Sequence, residues 1–362
     1  MTKTKKAVIT VPQLFSMLFI SRLIVSMTYS LRLSNSTSMW DHILSAGISF
    51  IVTFLLVIPV YSLFSSERKF DIVDTSYNLM GKAGTIITFI YIIYYIFVCS
   101  YTLSVFIDFV SNVINPPIST VMLSIAVILS SWYGASRGIE GLARTSGIIL
   151  FVIGLSIFFI IISLMGSLEA TNYQPLLYNG TSSMWNGVLY MISRTSCIPA
   201  MAMLIPKAKG SIKKGILFWN VSIYALIACL IVLIVGALGS FLDTQLFPVY
   251  TAASIAKLSS LQHMDALYLG VWTMGVFVKI SLFLMISAEC TNKVFKIKNR
   301  SGSLFIISLI VFILSMCFGK DYIYKFISNN MFLLSITVLT AFIIPLILLI
   351  FKLIKNRKEV KA

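Results

Sequence analysis

The chain has 362 residues, of which 58% are hydrophobic and 11% are charged. Soluble domains are about 25% charged, so this composition excludes an ordinary soluble globular protein. The aromatic fraction of 13% excludes a disordered chain, because disordered segments lack the apolar residues that build a core. The net charge of +16 does not by itself indicate a nucleic-acid partner, since membrane proteins collect Lys and Arg on their cytoplasmic loops.

Apolar stretches close to the ~20 residues that cross a bilayer recur along the whole chain, separated by short polar breaks. They cover residues 10–33, 42–64, 84–109, 118–135, 145–166, 184–205, 215–239, 266–288, 303–319 and 331–352. We therefore predict an all-α integral membrane protein with ten transmembrane helices. We expect the first stretch to be retained rather than cleaved as a signal peptide, because Arg22 interrupts it and no small-residue cleavage site follows.

The basic residues divide unevenly between the predicted loops. Most of the 28 Lys and Arg residues lie in the N-terminal segment, the C-terminal tail and every second loop. Four lie on the opposite side (Arg32, Lys257, Lys320 and Lys325), and three lie within spans (Arg22, Arg194 and Lys279). By the positive-inside rule, this division predicts that both termini are cytoplasmic. It also accounts for the net charge without nucleic acid.

Ten spans divide into two halves of five, and an odd number of spans in each half requires the second half to be inverted. We therefore predict a 5+5 inverted repeat within one membrane domain, with a first repeat over 1–166, a second over 184–352 and a basic tail over 353–362. An offset of 172 residues lays Ile20-Ser21-Arg22 on Ile192-Ser193-Arg194. These tripeptides lie in the middle of the first span of each half.

Inverted-repeat transporters bind their substrates near the midplane, where discontinuous helices free backbone groups. The sixth span carries four consecutive polar residues, Ser193 to Ser196, followed by Pro199, which lacks an N–H and favours a helix break. The first span carries Ser21, Arg22 and Ser26 at its centre, where there is no Gly or Pro. We predict a break in both spans. The alternative is an intact helix whose hydroxyls bond back to the preceding turn.

Three basic residues, Arg22, Arg194 and Lys279, lie near the predicted midplane, where each costs ~2.5–3.5 kcal/mol or more. The nearby acids, Asp108 and Glu289, lie at the ends of their spans. An anionic group brought from outside, such as an amino-acid carboxylate, would satisfy these cations. The alternatives are snorkelling, hydration in a cavity, or pairing with helix C-terminal carbonyls. Lys279 has a further possible role, in which its ammonium occupies the place of a bound cation.

The third span carries Tyr91, Tyr94, Tyr95 and Tyr101, most of them on one helical face. Their hydroxyls need partners below the membrane interface, so this face lines either a cavity or a helix contact. The predicted ligand site comprises Ser21, Arg22, Ser26, Tyr91, Tyr94, Tyr95, Tyr101, Ser193, Arg194, Thr195, Ser196 and Lys279.

No motif in the chain points to an enzyme, a metal site or a cofactor. The two histidines, His42 and His263, lie far apart near the ends of spans. The five cysteines have neither disulfide nor metal-ligand spacing. Without a carboxylate pair, an activated nucleophile or a phosphate loop we expect no catalysis and no cofactor.

Short motifs along the chain carry a family resemblance. They are Gln13-Leu14-Phe15, Gly81-Lys82-Ala83-Gly84, Arg137-Gly138-Ile139-Glu140-Gly141-Leu142-Ala143-Arg144, Tyr173-Gln174-Pro175 with Gly180, Leu204-Ile205-Pro206-Lys207, Phe247-Pro248, and Trp272 with Phe277-Val278-Lys279. The chain resembles the B subunit of spore germinant receptors, the GerAB type, within the amino acid–polyamine–organocation superfamily. It departs from related sequences in lacking glycines between Ser21 and Ser26, and in reading Gln262-His263-Met264-Asp265 before the eighth span.

The resemblance implies a LeuT-like fold and a receptor in the spore inner membrane. The implied partners are a membrane A subunit, a lipoprotein C subunit and a small nutrient, for which an L-amino acid is the expected class. On this view the nutrient binds between spans one, three, six and eight and shifts a conformational equilibrium that the A subunit detects. The alternative is an amino-acid/proton symporter of the same fold.

Overall fold

A computed structural model of the chain describes residues 9–27, 39–65, 68, 70–114, 116–173, 181–256, 264–319, 325 and 329–361. These residues are almost entirely helical. The helices are α1 (Val11–Met27), α2 (Met39–Ser65), α3 (Ile72–Met80), α4 (Gly84–Phe109), α5 (Thr120–Ser136), α6 (Gly138–Met165), α7 (Thr181–Ser193), α8 (Cys197–Leu204), α9 (Ile212–Leu238), α10 (Pro248–Ile255), α11 (Met264–Phe295), α12 (Arg300–Phe318), α13 (Asn330–Val338) and α14 (Ile344–Lys361).

The predicted spans coincide with apolar helices. Within the described residues, eight helical segments are long and apolar enough to cross a membrane: 40–65, 72–114, 138–165, 181–207, 212–242, 264–295, 300–318 and 330–356. Two shorter apolar helices, 11–26 and 120–136, occupy the places of the first and fourth predicted spans. The all-α membrane architecture is therefore confirmed, while length and composition alone give eight spans rather than ten.

The centre of the molecule is the long helix α11. It packs against α1, α4, α5, α6 and α12, and every residue from Val278 to Ala288 is buried. A helix surrounded on all sides by other helices must be apolar around its whole circumference. Lys279 is an exception to that pattern, and this places a cation in the core of the protein.

A short parallel pairing of strands fixes the start of α1. Strand β1 (Ile9–Thr10) pairs with strand β2 (Ala208–Lys209), which follows α8. The first helix and the second part of the broken sixth span are thus connected through their ends on the same side of the protein.

The long loop predicted between 240 and 265 contains a helix. The sequence favours Ala252–Leu261, whereas the structure forms α10 at Pro248–Ile255, beginning at a proline that is well suited to the first helical turn. Several predicted features lie outside the described residues, namely Arg32, Gln174, Pro175, Gly180, Lys257, Leu261, His263 and Lys320.

Candidate functional site

The sixth span is broken in the middle. Helix α7 ends at Ser193 and α8 begins at Cys197, with Arg194, Thr195 and Ser196 outside both helices. Pro199 is the third residue of α8, where a missing N–H costs no intrahelical hydrogen bond. The predicted break in this span is confirmed, and it leaves the end of one helix facing the start of another inside the membrane domain.

The first span is not broken within its described residues. Helix α1 runs continuously from Val11 to Met27. The hydroxyl of Ser21 donates to the Met17 carbonyl at 2.8 Å, and that of Ser26 donates to the Arg22 carbonyl at 3.3 Å. The predicted break near Ser21 is therefore wrong. Because there is no Gly or Pro between Ser21 and Ser26, the helix continues through this segment. Its hydroxyls bond to the preceding turn, which was the alternative interpretation.

Arg22 caps the broken end of α7. Its Nη2 donates to the Met191 carbonyl at 2.8 Å and its Nη1 to the Arg194 carbonyl at 3.3 Å. A helix C-terminus carries unpaired carbonyls and a partial negative charge, so a buried guanidinium is well matched to this position. The hydroxyl of Thr337 donates to the Ser193 carbonyl at 2.8 Å. Arg22 is thus paired with helix carbonyls.

Arg194 connects the break to α13. Its Nη1 donates to Asn330 Oδ1 at 2.6 Å and to the Ser193 hydroxyl at 3.1 Å. Its guanidinium carbon lies 3.9 Å from the centre of the Tyr190 ring, a distance typical of a cation–π contact. The side chain is buried. Since protein groups already bind this cation, its first role is to hold α7 against α13.

A cavity lies beside the break. The centre of a water molecule can occupy about 60 Å³ of it. Helices α1, α4, α11 and α13 form its walls together with residues of the break. Six predicted site residues line it: Tyr94, Tyr101, Ser193, Arg194, Ser196 and Lys279.

The other six predicted residues lie elsewhere. Arg22 and Ser26 line a smaller cavity between α1, α7 and α9. Tyr91 donates to the Thr340 carbonyl at 2.6 Å and Tyr95 to the Pro199 carbonyl at 2.8 Å, so these two tyrosines form helix contacts. The hydroxyls of the remaining two residues donate to nearby carbonyls, that of Ser21 to Met17 in α1 at 2.8 Å and that of Thr195 to Met191 in the last turn of α7 at 3.1 Å.

Two polar groups at the cavity have no hydrogen-bond partner. Lys279 is 4% exposed, and the hydrogen bonds and ion pairs of the described residues include none from its ammonium group. The Ser196 hydroxyl, just before the first turn of α8, is buried and unpaired. None of the described residues that line the cavity is acidic. A helix N-terminus, an unpaired hydroxyl and an unpaired ammonium together create an environment that favours a negative charge.

Aromatic side chains surround one residue of the cavity wall. Trp272 lines the cavity and lies against Phe109, with 4.1 Å between the ring centres. Phe106 and Phe247 also contact the Trp272 ring, and Phe247 is the residue before α10. This cluster connects the cavity wall to the start of α10.

The tenth span contributes to the cavity, although none of its residues belongs to the predicted site. Leu333, Ile336 and Thr337 of α13 line the cavity, and Asn330 binds Arg194. The available signal was Ser335, Thr337 and Thr340, three polar residues in a mostly apolar span. Thr337 and Thr340 are three positions apart, which places their hydroxyls on one face.

A helical membrane domain with a cavity at a broken sixth span is the arrangement of LeuT-like transporters. Solved structures of this class resemble the chain. A Na⁺-coupled sialic acid symporter in a substrate-bound outward-open state matches with a TM-score of 0.61 and 13% identity, over 94% of this chain and 80% of the symporter. MhsT in complex with L-phenylalanine matches with a TM-score of 0.60 and 13% identity, over 93% and 98% of the respective chains. These likenesses establish the fold.

The chain belongs to the spore germination protein family, whose sequence model matches residues 8–322. Spore germination protein KB of Bacillus subtilis strain 168 is 23% identical over 312 residues, covering 82% of this chain and 81% of the relative. Spore germination protein XB of Bacillus anthracis is 23% identical over 280 residues, covering 74% and 75%. The resemblance to germinant receptor subunits is confirmed, and both relatives are named as spore germination proteins.

Proposed function

We propose that this chain is the nutrient-sensing subunit of a spore germinant receptor, and that it binds a small carboxylate-bearing nutrient in the cavity at the break between α7 and α8. An L-amino acid is the expected class. The observation that carries the proposal is the Lys279 ammonium, which is buried beside this cavity and has neither an acid nor a hydrogen-bond acceptor among the described residues.

The arrangement of charges supports a carboxylate rather than a cation. An unpaired cation within a membrane is costly and marks a functional site. A ligand carboxylate would pair with Lys279 and accept from the Ser196 hydroxyl and from N–H groups in the first turn of α8. Sialic acid and L-phenylalanine, the ligands named for the two structural relatives, both carry a carboxylate.

The walls of the cavity suit a modest apolar or aromatic side chain. Ile24, Val98 and Trp272 contribute apolar surface, whereas Tyr94 and Tyr101 combine an aromatic ring with a hydroxyl. Pockets of this kind are mostly apolar, with a few polar groups that fix orientation. The proposed ligand therefore places its carboxylate at the break and its side chain between α4, α11 and α13.

Signalling follows if the ligand binds two conformations of the subunit with different affinity. Arg194 is the side chain best placed to transmit occupancy, because it lines the cavity and also binds Asn330 at the start of α13. In the proposed complex, a membrane A subunit and a lipoprotein C subunit in the spore inner membrane detect the resulting shift.

Ligand binding to the purified chain tests the proposal. The probes are radiolabelled L-amino acids, presented singly to the full-length protein in neutral detergent. At least one is expected to bind saturably, and Lys279→Gln is expected to weaken it by more than tenfold, which corresponds to about 1.4 kcal/mol. The matched control is Lys298→Gln at an exposed position. Unchanged affinity in Lys279→Gln would show that the ammonium does not bind the ligand.

An amino-acid/proton symporter is the second candidate, favoured by the transporter fold itself. Uptake of the bound amino acid into proteoliposomes separates the two functions. Net accumulation driven by a proton gradient would establish a transporter. Binding without accumulation, together with loss of nutrient-triggered germination in Lys279→Gln spores, would establish a receptor.

A further inference from the structure

A third cavity lies away from the residues of the break, where the ends of α2 and α14 meet the short helix α3. The centre of a water molecule can occupy about 350 Å³ of it. Its polar lining consists of Thr75, Asn78, Lys352, Lys355 and Asn356. The apolar part is formed by Leu63, Phe70 and Leu79. The lining thus combines hydrogen-bond donors and two cations with an apolar wall.

Both charged residues among the described lining of this cavity, Lys352 and Lys355, are basic. No acidic side chain among the described residues lines it. The two acids of α3, Asp71 and Asp74, both form ion pairs with Lys293 of α11 and do not line this cavity. Lys352 donates to the Leu63 carbonyl at 2.9 Å, which fixes its stem at the end of α2. Lys355 is exposed and makes no hydrogen bond or ion pair in the described part of the chain.

The position of the cavity corresponds to the headgroup layer of a bilayer. Helix α14 is apolar from Ile344 to Ile350 and then carries Lys352 and Lys355. This change from apolar to basic residues marks the point at which a spanning helix leaves the hydrocarbon. A basic pocket between helices at this depth matches the phosphate of an anionic lipid, while its apolar wall matches the upper acyl chain.

We propose that this cavity binds the headgroup of an anionic phospholipid, with Lys355 and Lys352 holding the phosphate and Asn78, Thr75 and Asn356 donating to its oxygens. The lipid would connect α3 to α14. Because α3 is also held to α11 through Lys293, the lipid lies one helix away from the central helix of the nutrient cavity. The lipid site is independent of the identity of the nutrient.

Lipid retention by the intact protein tests this site. The full-length chain in a neutral detergent is titrated with phosphatidylglycerol or phosphatidylcholine, and bound lipid is counted by native mass spectrometry. The micelle has no charged surface, so retention reports a site rather than general attraction to a basic face. Phosphatidylglycerol is expected to bind in preference to phosphatidylcholine. Lys355→Gln is expected to lower its association constant about fivefold, the effect of one basic residue beside an anionic lipid.

The control is Lys298→Gln, which removes an exposed lysine that does not line the cavity, and it should retain the lipid like the wild type. Lys355 is exposed, so its replacement should not disturb folding, and a thermal melt checks this. Equal losses in both variants, or equal retention of the two lipids, would overturn the proposal. If millimolar inorganic phosphate displaces the lipid and binds as tightly as the lipid does, the site binds a free anion and the lipid proposal is overturned.

Discussion

The guanidinium of Arg22 donates to the backbone carbonyl of Arg194 at 3.3 Å, although the two arginines are 172 residues apart in the chain. The same offset aligns the predicted halves of the protein on each other. The two residues are therefore equivalent in sequence but different in use. Arg22 lies in an unbroken helix and caps the break, whereas Arg194 lies at the break and provides one of the carbonyls that Arg22 caps.

Replacing Arg22 should destabilise the break. In Arg22→Ala the carbonyls of Met191 and Arg194 lose their charged donor in a buried position, and a buried hydrogen bond to a charged group is worth about 1.5–3 kcal/mol. We expect a clear fall in the thermal unfolding temperature of the detergent-purified protein, with Arg22→Lys intermediate. Arg144→Ala is the control, because Arg144 is exposed and pairs with Glu140 one turn away. Equal melting of all three proteins would contradict the capping role.

Replacing Lys279 with an apolar residue should have the opposite effect on stability. Its ammonium is buried without a hydrogen-bond or ion-pair partner in the described residues, so it lowers the stability of the folded state. Lys279→Met should melt at a higher temperature than the wild type and should fail to respond to nutrient. A gain in stability with a loss of function is the signature of a group kept for binding. A variant that melts lower would indicate that Lys279 supports the fold.

The sequence predicts the break in span six but not the continuity of span one, and the reason is physical. Ser193 to Ser196 are followed by Pro199. The four polar residues lower the helix propensity of the segment, and the proline lacks a backbone N–H donor. The segment from Ser21 to Ser26 has serines and an arginine but no proline, so the helix continues and the serine hydroxyls donate to carbonyls of the preceding turn. The polar groups in a span can be counted from the sequence. What Arg22 binds depends on which element packs beside it in the folded protein, and that element is the end of α7.

The candidate site was partly predictable for the same reason. The three midplane cations and the tyrosines of α4 stand out against an apolar background. The sequence does not show what each tyrosine side chain faces. Tyr94 and Tyr101 line the cavity, whereas the neighbouring Tyr95 donates to the Pro199 carbonyl. Thr337 and Thr340 mark a polar face on the tenth span, but long-range packing decides that this face lines the cavity.

A close approach between α3 and α4 depends on Gly84. A Cβ atom at this position would lie 2.7 Å from the Ser76 carbonyl carbon, and backbone atoms cannot move aside as a side chain can. Gly84→Ala should therefore lower the melting temperature by separating α3 from α4. Gly154→Ala is the matched control, since no atom lies within 4 Å of its Cβ and alanine favours a helix. Similar melting of both variants would show that α3 shifts freely.

Lys293 holds α3 against α11 through two carboxylates. It pairs with Asp71, whose side chain is 3% exposed. It also pairs with Asp74 at 2.8 Å, and the side chain of Asp74 is 31% exposed. Lys293→Gln leaves Asp71 buried and unpaired, which typically costs about 3–5 kcal/mol. Asp74→Asn should cost much less, because water can solvate its site. Chemical unfolding of the two variants and the double variant measures the coupling, and additive losses would contradict a shared network.

The tyrosines of α4 provide the sharpest test of where the nutrient binds. Tyr94 and Tyr95 are adjacent, are both buried and differ in whether they line the cavity. Tyr94→Phe removes a hydroxyl from the proposed site, so it should shift the nutrient concentration for half-maximal germination severalfold, in line with the loss of one hydrogen bond. Tyr95→Phe removes a donor to the Pro199 carbonyl and should lower stability while leaving the nutrient response unchanged. Spores carrying each variant at equal protein level are compared over a nutrient series. A shift in Tyr95→Phe but not in Tyr94→Phe would place the ligand on the other side of α4 and exclude the cavity beside Lys279.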